Sequence, residues 1–438
     1  MKTPASFRSS LLSTLLATGL VGTATPALAS NPSDVTAPAG APLPGLSADE
    51  QAKFEEGKAL FQHDFLPSEG LGPLFRAQSC ATCHFAPVVG GSDPTGSENV
   101  THFTLRNGGA FQLALELGGP VQQHRSIKGM PGTRCQLEPD QVPTSMPGIG
   151  TSIRHSSPLF GFGLLDAVED ADIRSWEGRK PWKAPGVYGA ANWGVELEGL
   201  GLATFFSFDR TRTQPYGAAR VGRFGWKAQT PTLFQFTTEP FNIELGVSTP
   251  FFPRENTPNG AQPPPECVLP GQQPNDTGSQ KSLLLYYFQA FLAAPERGPL
   301  TPAVRQGEAV FRKAGCDDCH RESLRTVKDY YAPWSDGTAH RVEALSGKVL
   351  FPYSDLLIHD LGTELEDVRP MGRASGRMWR TTPLWGLRHK TRYLHDGSAD
   401  SVEDSILMHH GEGEWSRQAW LDLSPHERVQ LKAFLDSL

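Results

Sequence analysis

The chain has 438 residues and a formal net charge of −7, with 20% of its residues charged. No cluster of Lys and Arg stands out of that acidic balance, which excludes a nucleic-acid footprint. Pro and Gly are plentiful at 37 and 45, so long ordered loops are expected rather than a compact repeat of strands and helices.

In chain order, the first segment reads as an export signal. Lys2 and Arg8 make a basic opening, Leu11 to Val21 is mostly apolar, and Ala27-Leu28-Ala29 is the small-x-small pattern that a signal peptidase accepts. Residues 1–29 are therefore expected to be removed, with Ser30 first in the mature chain and the periplasm as its compartment. No later apolar run approaches the roughly 18 residues of a membrane span, so no stable membrane insertion is expected. Residues 30–46 read as a flexible, Pro-rich lead-in. Ser47 and Glu50 then form a capping box at the start of the helical "SADEQAKFEEGKALF". "SCATCH" follows at 79–84, and Gly-rich loops with a short helix in "PLFGFGLLDAVEDADIRSW" run to Trp176.

A long stretch, roughly 100–280, ends in a Pro-rich surface connection. "KSLLLYYFQAFLAAPE" is helical and apolar on much of its circumference, and so expected to be buried. "RQGEAVF" leads into "GCDDCH" at 315–320. In the closing "LSPHERVQLKAFLDSL", Ser424 caps, Pro425 takes the first helical position and Glu427 completes a capping box. Val429, Leu431, Phe434, Leu435 and Leu438 are expected to form its buried face.

The pattern C-x-x-C-H thus occurs twice, as Cys80, Cys83, His84 and as Cys316, Cys319, His320, each after a helix ending in Phe (Phe61, Phe311). A zinc site would have to collect its four ligands from pairs more than two hundred residues apart. A thioredoxin-like dithiol has no use for the histidine. Covalent haem c attachment uses all three residues, two thioethers and a proximal imidazole, and it happens after export. Two haems c are expected. Cys135 and Cys267, the two remaining cysteines, are expected to be joined in an oxidising compartment.

Each iron has a second axial position. His or Met there suits electron transfer, whereas an open position admits peroxide. Around the second haem, "DSILMHHGEGE" offers Met408, His409 and His410, of which only one can face a given iron because neighbours on a helix point about 100° apart. Around the first, His63, His102, His124, Met130 and Met146 are all open as partners.

"SCATCH", "FGFGLLDAV", "GRFGWKAQTPTLFQF", "NIELGVSTPFFP", "YSDLLIHDLG", "WRTTPLWGLRHKTRYLHDGSADSVEDSI" and the closing helix, in that order, resemble the bacterial di-haem cytochrome c oxidoreductases. These are related to di-haem cytochrome c peroxidases and to the enzyme that matures methylamine dehydrogenase. The resemblance implies a mainly α fold of two cytochrome c-like domains with long irregular loops, here 47–280 and 281–438. It implies an enzyme in which one haem meets the oxidant while the other collects electrons. Counting fourteen residues on from His395 of "HDG", as relatives do to their distal methionine, reaches His409. Relatives also imply Trp226 between the haems and Glu244 above the reactive iron as proton carrier, although the usual "QFWDGR"-type stretch is absent. The implied partners are peroxide and a small donor protein, a cytochrome or a cupredoxin; calcium enters by analogy alone. The alternatives are an electron-transfer cytochrome without catalysis, or an oxidant of a protein or thiol partner. Intact-mass spectrometry of the exported protein is expected to show a chain starting at Ser30 that carries the added mass of two haems.

Overall fold

The computed structural model describes Met1 and residues 34–107, 110–113, 121–139, 147–179, 186–195, 219–255, 263–268 and 274–438. The export signal after Met1, Ser30 and Met146 lie outside the described residues. Among those described, helices α1 (Ala48–Gln62), α2 (Phe162–Asp166), α3 (Asp170–Arg174), α4 (Leu233–Ile243), α5 (Gln280–Ala290), α6 (Pro302–Lys313), α7 (Val402–Leu407), α8 (Glu414–Asp422) and α9 (Pro425–Leu435) form most of the regular structure. Two-stranded ribbons and one three-stranded antiparallel sheet, in which Val100–Asn107 lies between Ala110–Leu113 and Ile149–Arg154, are set among long loops. None of these helices is long and apolar enough to cross a membrane.

Local chemistry fixes the helix ends. Ser47 and Ser424 each accept a hydrogen bond from the backbone N–H three residues on, and Glu50 and Glu427 return the bond to the cap N–H. In α9 the buried stripe is Gln430, Leu431, Phe434 and Leu435. Val429 is 65% exposed, contrary to expectation, because it sits two residues before Leu431 and so about 160° round the helix from it.

Two helix crossings position everything that follows. At Gly57 of α1 a Cβ would lie 2.1 Å from the Leu284 carbonyl oxygen of α5; at Gly307 of α6 it would lie 1.9 Å from that of Gln430 in α9. Both helix pairs therefore touch backbone to backbone. One turn further on, Phe61 meets Phe288 at 4.8 Å between ring centroids, and Phe311 meets Phe434 at 5.2 Å. The same two phenylalanines reach the motif histidines, Phe61 to His84 at 6.1 Å and Phe311 to His320 at 6.3 Å. The repeated G-x-A-x-F is thus the sequence trace of a repeated crossing. It also means that α5, which the boundary at 280/281 assigns to the second unit, packs on α1 of the first.

The larger apolar core joins α1, α2, α4 and α5 to the loops at 324–357, and a smaller one gathers α6 and α9 with Tyr353, Val402 and Trp420. Residues 34–46 are docked rather than loose. Val35 and Leu43 are fully covered, and Thr36–Ala37 pairs in parallel with Ala294–Pro295. Cys135 and Cys267 are joined in a disulfide.

Replacing Gly57 or Gly307 by Ala is expected to destabilise the protein by about 1–3 kcal/mol, the usual cost of overpacking a tight contact. Thermal unfolding of the two variants checks this, with Gly186→Ala, where no atom lies within 4 Å of a new Cβ and φ is not positive, as the reference.

Candidate functional site

Behind each crossing, the C-x-x-C-H segment turns in one short 3₁₀ step, Cys80–Thr82 and Cys316–Asp318. Gly315 enters the second turn at φ +73°, a left-handed conformation that suits glycine. Each turn forms one wall of a cavity. All four motif cysteines are free of disulfides. Burial pushes the Cys80 and Cys316 thiols up to about 12 and raises those of Cys83 and Cys319, so none is a thiolate poised for metal or redox chemistry.

The C-terminal cavity has an empty volume of about 1390 Å³, its mouth included, and Cys316, Cys319 and His320 share its wall with His409. His320 donates from Nδ1 to the Tyr353 carbonyl at 2.9 Å, and His409 from Nδ1 to the Ser405 carbonyl at 2.6 Å. A carbonyl only accepts, so Nδ1 carries the hydrogen and each Nε2 keeps its lone pair. Burial lowers both rings, His320 to about 4, and both are neutral at pH 7. Met408 and His410 are not on the wall: Met408 ends α7, and His410 pairs with Glu414 at 3.0 Å. Arg380 and Lys390 also line this cavity, and Arg380 Nη1 is buried with no acceptor among the described residues.

The N-terminal cavity, about 1280 Å³, is bounded by Cys80, Cys83, His84, His102, His155, Glu239, Glu244, Gln289 and Arg369. His84 donates from Nδ1 to the Gly91 carbonyl at 3.0 Å, and burial lowers its pKa. Glu244 stands at the C-cap of α4, and Glu239 one turn earlier. Burial raises Glu244 against the pull of Arg76, with the charge of Glu239 adding to the rise. Glu239 is raised by burial against Arg369. Glu239 was not singled out in the sequence, although an acid in the apolar run "LFQFTTEPF" was a signal for it. Of the five side chains named for this haem, His102 lines the cavity. His63 instead bonds Glu69 at 3.0 Å, and His124 and Met130 are not among the lining residues. His155 is an addition. Its Nδ1 bonds the Asn99 side-chain oxygen at 2.9 Å, while its buried Nε2 has no partner among the described residues.

Trp226 lines both cavities. Its indole N–H donates to the His155 carbonyl at 2.9 Å and its own carbonyl accepts from Arg380 at 2.8 Å. The wall around it is charged. Asp367 holds Arg154 and Lys227, and the Lys227 ammonium lies 3.7 Å from the centre of the Trp379 ring, which stacks on His395 at 3.7 Å.

Residues 146–438 match the family described as "Di-haem oxidoreductase, putative peroxidase". The protein is therefore a haem-dependent oxidoreductase. It belongs to the di-haem oxidoreductase family. Similar solved structures include a MauG-like protein associated with microbial copper homeostasis (17% identity over 93% of each chain, TM-score 0.33). A second is the hydrazine synthase of Kuenenia stuttgartiensis (14%, 98% of this chain and 100% of that one, 0.32). A third is a variant of the diheme peroxidase BthA of Burkholderia thailandensis (16%, 88% and 85%, 0.36). No curated protein matches.

The residues present fit the two haems that the family implies. Each cavity is walled by a C-x-x-C-H turn. Each presents two neutral thiols beside the motif imidazole, and the C-terminal one adds an unpaired buried guanidinium N–H suited to a carboxylate. Among the described residues no cluster of three or more His, Cys, Asp or Glu side chains could hold a metal ion by itself. Replacing His409 by Ala is expected to convert one low-spin signal of the holoprotein to high-spin in electron paramagnetic resonance. Met408→Ala is expected to leave it unchanged.

Proposed function

We propose that this protein is an exported di-haem c oxidoreductase that reduces peroxide in the N-terminal cavity, with electrons delivered through the C-terminal one. Cys80 and Cys83 would hold one haem by thioethers with His84 as ligand, and Cys316 and Cys319 the other with His320 and His409. The molecule divides on this reading into two cytochrome c-like units, the first closing with α5. When bound, haem supplies an iron that exchanges single electrons and, where its second axial position is open, a site for peroxide.

The observation that carries this reading is an asymmetry joined by one ring. The C-terminal cavity offers the imidazoles of His320 and His409, whereas the N-terminal one, beside the imidazoles of His84 and His155, adds two carboxyls, Glu239 and Glu244, whose pKa burial raises. Trp226 is part of both walls.

Reduction of hydrogen peroxide to two waters takes two electrons and two protons. A carboxylate at Glu244 accepts a proton from the near oxygen and returns it to the departing one. Its raised pKa keeps that proton from being lost in between. Glu239 stands next in line to resupply it. Arg154 and Lys227, both held by Asp367, lie over the Trp379 ring, while Trp226 is held by hydrogen bonds at its indole N–H and its carbonyl. A small cytochrome or cupredoxin is the proposed electron donor. An electron carrier without catalysis fits less well, because it has no use for two buried acids.

Glu244→Gln is expected to slow the peroxide reaction about 10²–10⁴-fold, the range for loss of a general acid–base group. In the unaltered protein the base form of Glu244 exists only above its raised pKa, so the rate is expected to climb as pH rises through that value. That limb is expected to vanish in the variant, as stopped-flow haem spectra across pH would show.

A further inference from the structure

A second line of oxidisable side chains starts on helix α5, which helps to wall the N-terminal cavity. Helix α5 presents Leu285 and Gln289 to the cavity. The next residue, Tyr286, is fully buried, and its ring lies 5.8 Å from Phe234 and 5.7 Å from Tyr287. Tyr287 lies 5.2 Å from Trp334, which stacks on His340 at 4.7 Å with the rings 8° from parallel. His340 is exposed, and Trp334 and His340 both border a surface groove with Ser47, Asp49 and Glu343. From Tyr286 to His340 every gap is a ring-to-ring contact.

The proton side of the same residue is also built. A tyrosine that loses an electron must shed its phenolic proton. The Tyr286 and Tyr330 hydroxyls are 3.2 Å apart, and Tyr330 donates to the carboxylate of Asp166. Because Tyr330 spends its hydrogen on Asp166, Tyr286 donates to Tyr330. The other Asp166 oxygen accepts the Leu233 N–H at 2.9 Å, which fixes the carboxylate in place. All three side chains are buried, and both tyrosines belong to the larger apolar core. Packing alone would be better served by phenylalanine and leucine, since a buried network of this kind gains little net stability.

The geometry points to Tyr286, Tyr287 and Trp334 as an electron line from the surface groove to the N-terminal cavity, independent of the C-terminal cavity. The inference rests on the peroxide reading. For each oxidising equivalent that peroxide leaves in the cavity, Tyr286 gives up one electron inward, while its proton moves to Tyr330 as the Tyr330 proton moves to Asp166. An electron from Trp334, passed across the Tyr287 ring, then restores Tyr286 as both protons return. Trp334 is refilled by an external one-electron reductant at the groove. Two such cycles supply the two electrons of one peroxide.

The test is to mix the holoprotein with hydrogen peroxide without any reductant and map oxidised residues by peptide mass spectrometry. Freeze-quenched samples are followed in parallel by electron paramagnetic resonance. Oxygen addition at Trp334 and a tyrosyl signal are expected, both lost in Tyr286→Phe, which keeps the ring and its packing, and both kept in Trp226→Phe. Tyr330→Phe, which cuts the proton link alone, is expected to abolish the tyrosyl signal too, and it serves if the first variant does not fold. Ascorbate added beforehand is expected to protect Trp334. A haem spectrum that responds to peroxide while Trp334 stays unmodified, or is modified equally in Tyr286→Phe, overturns the electron line alone. A haem spectrum that ignores peroxide overturns the peroxide reading and this inference together.

Discussion

The backbone contact between two helices, made twice, is the constraint on which the rest depends. At Gly57 and at Gly307 the opening helix of each unit comes so close to its partner that a single methyl group would collide with a carbonyl oxygen. That closeness brings Phe61 and Phe311 under the motif histidines, and it sets where the C-x-x-C-H turns project. Cavity, imidazole and thiols all take their positions from an approach that only glycine permits.

The two cavities are alike in frame and unlike in content. In both, the motif histidine gives its Nδ1 hydrogen to a backbone carbonyl, which locks the ring in one tautomer. The difference lies in what the remaining wall brings. One wall ends in α7 and supplies His409, as the other has His155. The other ends in α4, whose last turn carries two acids into a site where burial holds their protons. Between them, Trp226 is fastened at both its side chain and its carbonyl, so the partition is a fixed element rather than a mobile one.

Much of this was legible in the sequence because it rests on local rules. Capping boxes at Ser47 and Ser424 concern neighbours three residues apart, and the doubled C-x-x-C-H names its own chemistry. The resemblance to relatives picked out His409 from three adjacent candidates, and it is the one of the three that lines the cavity. What escaped depends on contacts between distant segments. The apolar α5 gave no sign that its partner was α1, because a helix buried all round has no preferred face to read. The lead-in looked loose by its prolines, yet Val35 and Leu43 anchor it in a core that composition does not reveal. Val429 and Glu239 were misjudged or missed for opposite reasons, an apolar residue turned to solvent and an acid turned inward. His155 carried no motif at all.

The Cys135–Cys267 link, spanning 132 residues of sequence, has a bearing on how the chain matures. On the proposed export, six thiols entering an oxidising compartment together could couple in many wrong ways. On the proposed attachment, sealing four of them to porphyrin vinyl groups removes every competitor and leaves a single possible pair. Loading of the prosthetic groups would then act as a proofreading step for oxidative folding, and a chain starved of them would accumulate as scrambled, cross-linked species.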